Sequence, residues 1–179
     1  MRIWDLSHVE AGAAVGPDTV IGRGVTIGRG VRVGARCKVQ NAALVYGPTL
    51  LGDGVFVGPG AVLTNDHAPR SITPDGAVKG PDDWVPTGVV VEHGASIGAG
   101  AVCVAPVHIG RWAAVAAGAV VTHDVPDHAL VAGVPARRVG WVGRTGHRLA
   151  DVEDGRWVCP YTGEAYRERR DGTGLEVAS

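Results

Sequence analysis

The fold of this chain is decided by residues 9–63, which read VEAGAA VGPDTV IGRGVT IGRGVR VGARCK VQNAAL VYGPTL LGDGVF VGPGAV L. Every sixth residue from Val9 to Leu63 is apolar, and the pattern resumes in a shifted register from Val85 to Val121. An amphipathic helix repeats every three to four residues and a half-buried strand every two, so neither produces this spacing. A period of six predicts short strands joined by regular corners.

Two further columns of the repeat support this interpretation. Glycine often follows the apolar residue, where a sharp corner can use the positive φ that glycine tolerates. A small or β-branched residue stands four places after the apolar one, from Ala13 onward. Three hexads complete a triangular coil, and stacked coils pair each short strand with its equivalent about 4.8 Å away. The sequence therefore predicts an all-β chain folded as a parallel β-helix of about six coils.

The repeat divides the chain into two parts. Residues 1–140 are predicted to form the β-helix, with a projecting loop at residues 69–84. Residues 141–179 are predicted to form a C-terminal cap, with a hairpin around Pro160–Gly163 and a frayed tail from Asp171. Open coils expose two ends and flat walls, which predicts capping elements and self-association.

Composition and charge restrict the possible partners. With 17 basic and 18 acidic residues the net charge is -1, so the chain has no basic field for nucleic acid and no polybasic membrane patch. No apolar stretch is long enough to cross a membrane, and the first residues do not resemble a signal peptide. We expect a cytoplasmic protein whose partners are small molecules or copies of itself.

The cysteines point to neither disulfides nor a metal centre. Cys37, Cys103 and Cys159 are widely spaced, and none belongs to a CxxC pair. Reduced thiols are therefore expected.

The repeat breaks most sharply at His67, which occupies the position otherwise reserved for a small or β-branched residue. The polar loop that follows runs from Pro69 to Trp84, and loops of that length in a compact domain are usually functional or disordered. An imidazole can take a proton from an amine or hydroxyl nucleophile, and Asn65 or Asp66 can orient the ring or the acceptor. The alternative is a solvated histidine beside two ordinary turn-forming residues.

The remaining histidines are predicted to be solvated surface residues. His123 and His128 share a turn and are the nearest pair, but their spacing does not indicate a metal site, and no metal is expected. The other four are His8, His93, His108 and His147.

Three stretches resemble the hexapeptide-repeat acyltransferases, and the resemblance covers roughly residues 9–140. They are Asn65-Asp66-His67-Ala68-Pro69-Arg70-Ser71, the segment from Ala119 to Pro126, and the segment from Val131 to Arg137. Other motifs resemble the branch of nucleotide-linked amino-sugar N-acetyltransferases. These are residues 65–71, Trp84-x-Pro86-Thr87, Gly140-Trp141, and Cys159-Pro160-x-x-Gly163-Glu164-x-Tyr166.

The resemblance implies a left-handed β-helix homotrimer that binds acetyl-CoA between adjacent subunits. The acceptor, an NDP-amino sugar, would lie beside the loop. His67 matches the histidine that the superfamily places at the start of the loop, and Asn65 matches the asparagine of the amino-sugar branch.

From these residues we expect direct attack of the acceptor amine on acetyl-CoA, without an acyl-enzyme. His67 would remove the proton and Asn65 would hydrogen-bond the acceptor, with Asp66 and Arg70 as further acceptor-binding residues. Candidate donor-binding residues are Gly98, Ala116 and Ala117, through their backbone, and Arg137 and Arg138, through the CoA phosphates.

Two alternatives remain open at this stage. An O-acyltransferase, or a transferase that uses another acyl-CoA, would share the repeat and the loop. A β-helix that is not an acyltransferase would be either a zinc hydratase or a bare scaffold. The hydratase is less favoured, because the histidine spacing does not indicate a metal site.

Overall fold

The computed structural model describes residues 1–152 and 155–178. Within these ranges the chain consists of short strands, turns and one 3-10 turn at Pro81–Asp83. The strands form three parallel walls and one antiparallel sheet, so the all-β prediction is confirmed.

The strands are numbered in chain order and follow the three walls in rotation. The first wall contains β1 (Arg2–Ile3), β4 (Val20–Ile21), β7 (Lys38–Val39), β10 (Phe56–Val57), β13 (Ser96–Ile97), β16 (Ala114–Val115), β18 (Ala129–Ala132) and β19 (Arg137–Trp141). The second wall contains β2 (His8–Val9), β5 (Thr26–Ile27), β8 (Leu44–Val45), β11 (Val62–Leu63), β14 (Val102–Cys103) and β17 (Val120–Val121). The third wall contains β3 (Ala14–Val15), β6 (Arg32–Val33), β9 (Leu50–Leu51), β12 (Val89–Val91) and β15 (Val107–Ile109).

Within the walls, neighbouring strands pair in parallel from one coil to the next, except that β19 pairs antiparallel with β18 at the end of the first wall. Phe56, for example, lies opposite Lys38 on one side and Ser96 on the other. Because the second wall has six strands, the stack has six coils, as the period of the sequence predicts.

The apolar column of the repeat forms the interior of the prism. Ile27, Val57 and Ile97 are fully buried, and alternate residues on the same strands face outward. Burying one such side chain contributes about 1.5–3 kcal/mol. The column of small residues is buried beside it, as Ala43 and Ala101 show.

The structure corrects the register after the loop. Val85 belongs to the apolar column by spacing but is 81% exposed, and the third wall resumes only at Val89. The excursion between β11 and β12 therefore spans residues 64–88. Pro86 and Gly88 come just before β12, and neither residue type favours the interior of a strand.

The C-terminal part is a four-stranded antiparallel sheet. Its strands are β20 (Ala150–Val152), β21 (Arg156–Val158), β22 (Ala165–Glu168) and β23 (Leu175–Val177). The turn between β21 and β22 contains the predicted hairpin at Pro160–Gly163. The prediction of a frayed tail from Asp171 is wrong, because β23 pairs with β22 and Leu175 is fully buried.

His128 fastens this sheet to the last coil, and the prediction that it is solvated is wrong. The side chain is 5% exposed, its Nδ1 donates to the carbonyl of Val142 at 2.9 Å, and the Val142 N–H donates back to the His128 carbonyl at 2.8 Å. Tyr166, also buried, packs edge-on against the ring at 5.0 Å between centroids. Burial lowers the pKa of His128, which keeps the imidazole neutral.

Among the described residues, no helix is long and apolar enough to cross a membrane.

Candidate functional site

The corner between the second and third walls is interrupted in the fourth coil, and we call it the loop corner. In the coil below, Gly47 is the second residue after the interior Val45, and in the coil above, Ala105 is the second residue after Cys103. Asn65 is the equivalent residue of the interrupted coil, because it follows Leu63 by the same two places. The loop therefore leaves the stack between two corners that follow the regular path.

The two predicted catalytic side chains attach to these neighbouring corners. Asn65 Nδ2 donates to the carbonyl oxygen of Gly47 at 2.9 Å, one coil below. His67 Nδ1 lies 3.1 Å from the carbonyl oxygen of Ala105, one coil above. The structure thus brings the two residues to one place and holds each by a single backbone carbonyl.

The contact with Ala105 selects the tautomer of the neutral His67 ring. A carbonyl oxygen can only accept a hydrogen bond, so Nδ1 carries the hydrogen and Nε2 keeps a lone pair. The side chain is exposed, unlike the small residues that occupy the same column of the repeat. This arrangement leaves Nε2 available as a proton acceptor.

Gly47 is required by the close packing of the corner. A Cβ at this position would lie 1.7 Å from the carbonyl oxygen of Arg29 in the coil below. Only glycine allows this approach, which places the Gly47 carbonyl beneath Asn65.

The loop forms a groove next to His67. It is an open groove of about 470 Å³ lined by Asp66, Arg70, Ser71, Lys79, Gly80, Pro81 and Trp84. Asp66 Oδ1 accepts the Ala68 N–H at 2.9 Å, which shapes the first turn of the loop. Arg70 is exposed and contacts only the Pro69 carbonyl, at 2.7 Å, so its charge faces the groove without a carboxylate partner among the described residues.

The three predicted backbone positions for the donor lie at another corner, between the first and second walls. Gly98 is stacked under Ala116 and Ala117 of the next coil, where a Cβ on Gly98 would lie 2.4 Å from the Ala117 nitrogen. The N–H groups of Gly98 and Ala116 already donate to Val115 and Val131, at 2.8 and 2.9 Å. Within residues 1–152 and 155–178, Ala117 has neither its N–H nor its carbonyl in a hydrogen bond, and it is the position open to a ligand.

Arg137 and Arg138 lie at the end of the stack. They line a groove of about 290 Å³ together with His123 and Asp124, which belong to the loop corner one coil beyond Ala105. The Arg138 guanidinium stacks 4.2 Å above the Trp141 ring, which fixes its position.

The predicted residues therefore form separate groups in one copy of the chain. Asn65, Asp66, His67 and Arg70 meet at the loop corner, and the two terminal arginines lie above them on the same side. Ala117 lies across the second wall, at its opposite edge. The groove beside Arg70 and the groove beside Arg137 and Arg138 are lined by neither His67 nor Ala117.

The thiols do not contribute to the loop corner. Cys37 and Cys103 are fully buried in the prism, and burial raises the pKa of Cys103 to about 12. Hydrogen bonds led by that from Thr145 lower the pKa of Cys159 to about 7, but this residue is 1% exposed in the C-terminal sheet. A thiol with a raised pKa or no access is a poor nucleophile.

Across the described ranges, no three histidine, cysteine or acidic side chains lie close enough together to hold a metal ion.

The sequence analysis gave no role at the site to three residues, Lys79, Trp84 and Thr64. Lys79 and Trp84 also line the groove, and the pairing of Ile72 with Val78 brings Lys79 back beside Ser71. Thr64 accepts the Ala105 N–H at 2.9 Å. At this corner the residue directly after the interior one varies, so no sequence signal singled out Thr64; the other members are Glu10, Gly28, Tyr46, Val104 and Thr122.

The family comparison agrees with the repeat. The family described as hexapeptide repeat of succinyl-transferase matches residues 12–47, 24–65 and 88–123, which together make up half of the chain. The unmatched stretch between positions 65 and 88 is the loop excursion.

Curated relatives match a shorter stretch. A 2,3,4,5-tetrahydropyridine-2,6-dicarboxylate N-acetyltransferase of Staphylococcus aureus (strain JH9) is 43% identical over 86 residues, which is 48% of this chain and 30% of the relative. The same enzyme from strain COL gives the same values. The match thus spans less than a third of the length of these relatives.

Solved structures share the fold. The acetyltransferase domain of PglB from Neisseria gonorrhoeae, in complex with acetyl coenzyme A, has a TM-score of 0.59 and 23% identity, covering 76% of this chain and 57% of that one. A point variant of AntD, an N-acyltransferase from Bacillus cereus in complex with dTDP and coenzyme A, has a TM-score of 0.66 and 18% identity, covering 80% and 82%. At this identity the likeness concerns the fold alone. The repeat, the coil stack and the family match together show that the chain belongs to the hexapeptide-repeat family, whose left-handed β-helix it adopts.

Proposed function

We propose that this protein is an acetyl-CoA-dependent N-acetyltransferase that acts on an amino group of a nucleotide-linked sugar by direct attack in a ternary complex. The observation that carries the proposal is the loop corner, where an exposed His67 has Nδ1 engaged by a carbonyl and Nε2 available. Beside it lies a groove with cationic, aromatic and acidic side chains.

In the proposed reaction the acceptor nitrogen attacks the thioester carbonyl carbon, and a C–N bond forms. The C–S bond then breaks, and the CoA thiolate leaves. His67 Nε2 takes the proton that the acceptor nitrogen loses, and this proton passes to the leaving thiolate. A positioned base of this kind typically contributes about 10²–10⁴-fold to the rate.

Direct attack is supported by the positions of the thiols. Neither Cys37 nor Cys103 can reach a ligand, because both are fully buried in the prism. The acetyl group therefore has no accessible cysteine at the loop corner to which it could be transferred first.

The composition of the groove supports an anionic acceptor with a planar group. Arg70 and Lys79 can pair with phosphates, and the Trp84 indole offers a surface on which a base can stack. Asp66, the residue before His67 in the chain, also lines the groove, where a carboxylate favours the approach of an amine. A nucleotide-linked amino sugar carries a group for each of them: an amine, phosphates and a base.

Donor binding is proposed to need two copies of the chain. One copy would supply the loop corner and the terminal arginines, Arg137 and Arg138, for the CoA phosphates. The neighbouring copy would supply the free backbone groups of Ala117 for the amides of the pantetheine arm. This division follows from the position of Ala117 at the opposite edge of the second wall.

The second wall is the proposed contact face of a homotrimer. Its outward residues in four successive coils are Leu44, Val62, Val102 and Val120. All four are partly exposed in the single chain, whereas the other two walls place charged residues such as Lys38 and Arg32 outward. A flat apolar strip of this kind is a hazard in a monomer unless it is paired.

The proposed setting is the cytoplasm, because the three cysteines are buried and form no disulfide.

A second acceptor class has its own support. The relatives from Staphylococcus aureus are named for a cyclic dicarboxylate, and they match this chain at 43% identity over 86 residues. Two carboxylates could pair with Arg70 and Lys79, but they would leave Trp84 without a partner.

The test is an acceptor screen read by mass spectrometry. Purified protein and acetyl-CoA are incubated with UDP- and dTDP-linked amino sugars, their hydroxyl analogues and tetrahydropyridine-2,6-dicarboxylate. We expect one acetyl group to be gained on an amino sugar and none on its hydroxyl analogue. Acetylation of the hydroxyl analogue alone would make the protein an O-acetyltransferase, and acetylation of the dicarboxylate alone would also overturn the proposal.

A matched pair of variants sharpens the screen. Arg70→Gln should raise the KM for the amino sugar several-fold, because it removes a phosphate partner. Arg156→Gln removes an exposed arginine from the C-terminal sheet and should leave KM unchanged. Equal effects of the two variants would contradict the assignment of the groove.

A further inference from the structure

We propose that Thr64 is a positioning residue for His67 and acts through the backbone of Ala105. This inference rests on the proposed role of His67 as the base. It assigns the orientation and the tautomer of the imidazole to the first residue of the excursion, Thr64.

Hydrogen bonds from Thr64 and His67 hold the two backbone polar groups of one buried residue, Ala105. The Ala105 N–H donates to Thr64 Oγ1 at 2.9 Å, and the Ala105 carbonyl accepts from His67 Nδ1 at 3.1 Å. Thr64 is itself anchored, because its N–H donates to the Cys103 carbonyl at 3.0 Å. Both backbone polar groups of Ala105 are therefore held by the segment that contains the base.

The hydroxyl of Thr64 cannot be removed without moving Ala105. Ala105 is fully buried, and within the described ranges its N–H has Thr64 Oγ1 as its hydrogen-bond acceptor. A buried N–H without an acceptor is strongly disfavoured, so the corner has to shift to find another partner or water. The carbonyl of the same residue shifts with it, and this carbonyl fixes His67.

The position of the carbonyl determines which nitrogen of His67 is the base. While Nδ1 donates to Ala105, the lone pair is on Nε2, and the ring is fixed in one orientation. If the carbonyl moves out of reach, the ring is free to rotate and to place its hydrogen on either nitrogen. Thr64 thus acts on the base without contacting it.

The first experiment measures the ring itself and needs no substrate. The ring nitrogens are labelled with ¹⁵N, and their signals are recorded in the wild type, Thr64→Val, Thr64→Ser and Thr19→Val. The His67 signals are assigned by their loss in His67→Gln. Thr19→Val is the matched control, because Thr19 Oγ1 likewise accepts a buried N–H, that of Cys37, at 3.0 Å, far from the loop.

We expect His67 to carry its hydrogen on Nδ1 in the wild type, in Thr64→Ser and in Thr19→Val. In Thr64→Val we expect a mixture of tautomers. An unchanged Nδ1–H signal in Thr64→Val would overturn the inference, as would equal changes in Thr64→Val and Thr19→Val.

The second experiment measures acetyl transfer as a function of pH, with the acceptor found in the screen. Thr64→Val should lower kcat about tenfold, which is less than the loss expected when the base itself is removed. The KM for acetyl-CoA should be unchanged. Thr64→Ser should restore the rate. In the His67→Gln background, Thr64→Val should have no further effect.

The two experiments separate two kinds of failure. If His67→Gln is as active as the wild type while Thr64→Val still changes the tautomer, the proposed base is wrong and the positioning contact is right. If His67→Gln is inactive and Thr64→Val has wild-type activity and tautomer, the base stands and the inference about Thr64 fails.

Discussion

The loop corner differs between the fourth coil and the coils on either side of it. In the regular coils the position four places after the interior residue holds a small buried side chain, such as Thr49 or Val107, and the chain proceeds directly to the third wall. In the fourth coil the same position holds His67, which is exposed, and the chain leaves the stack until Val89.

With His67 as the proposed base, stability and chemistry are placed in different hexads. The regular coils bury apolar side chains on a repeating scaffold and carry the free energy of folding. The interrupted coil gives up one buried position and gains an imidazole held by the corner above it. Rigid neighbours are what a catalytic group needs, because its geometry has to be fixed before the substrate binds.

The largest expected effect on stability comes from a regular coil. Ile97→Ala should lower the free energy of unfolding by about 2–5 kcal/mol, because it leaves a cavity in the prism. Urea denaturation measures the change. Ser96→Ala on the same strand faces outward and should change stability by less than about 0.5 kcal/mol; similar losses for both variants would contradict the assignment of inward and outward faces.

A smaller effect is expected at the corner below Asn65. Gly47→Ala places a Cβ 1.7 Å from the Arg29 carbonyl, so the corner has to shift, at a cost of about 1–3 kcal/mol. The midpoint temperature of thermal unfolding should decrease. The acetyl-transfer rate should decrease as well, since the same carbonyl holds Asn65.

Gly80→Ala is the control for the stability measurement. Gly80 has a φ of -100°. The nearest atom to its added Cβ is 3.7 Å away. A Gly47→Ala protein as stable as Gly80→Ala would show that the close approach is not required.

The smallest effect concerns the junction with the C-terminal sheet. The folded protein disfavours protonation of the buried His128, whereas the unfolded chain binds the proton near the ordinary pKa of 6.5. The unfolded state then binds more protons as the pH falls below about 6.5, so stability should decrease there. Thermal unfolding between pH 5 and pH 8, at roughly half-unit intervals, measures this slope.

His128→Asn provides the comparison. Asparagine tolerates the positive φ of 63° at this position and can still donate to the Val142 carbonyl, but it does not titrate. The pH dependence should be weaker in this variant. An identical slope in both proteins would mean that His128 does not link pH to folding.

The sequence predicted those parts of the fold that depend on periodicity. The interior column, the six coils and the exception at His67 all follow from the spacing of apolar residues, because each hexad meets the same local environment. The prediction was wrong where the spacing of a residue does not match its surroundings in the structure. Val85 keeps the period but lies in the loop, and Leu175 is buried although no repeat marks it.

The contacts of the site were not predictable for a related reason. The partners of His67 and Asn65 are backbone carbonyls 38 and 18 positions away in the chain. A backbone carbonyl carries no residue identity, so no sequence pattern records it. The sequence can place an imidazole at the break in the repeat, and the structure is needed to show which of its nitrogens is free.

The most direct test of the account compares rate and stability in one variant. His67→Gln is assayed for acetyl transfer to the acceptor found in the screen and, in parallel, for equilibrium unfolding in urea. We predict a decrease in kcat of at least about 100-fold and a change in unfolding free energy within about 0.5 kcal/mol. A variant that keeps the wild-type rate, or that loses activity only because it unfolds, would contradict the claim that the interrupted coil supplies the base.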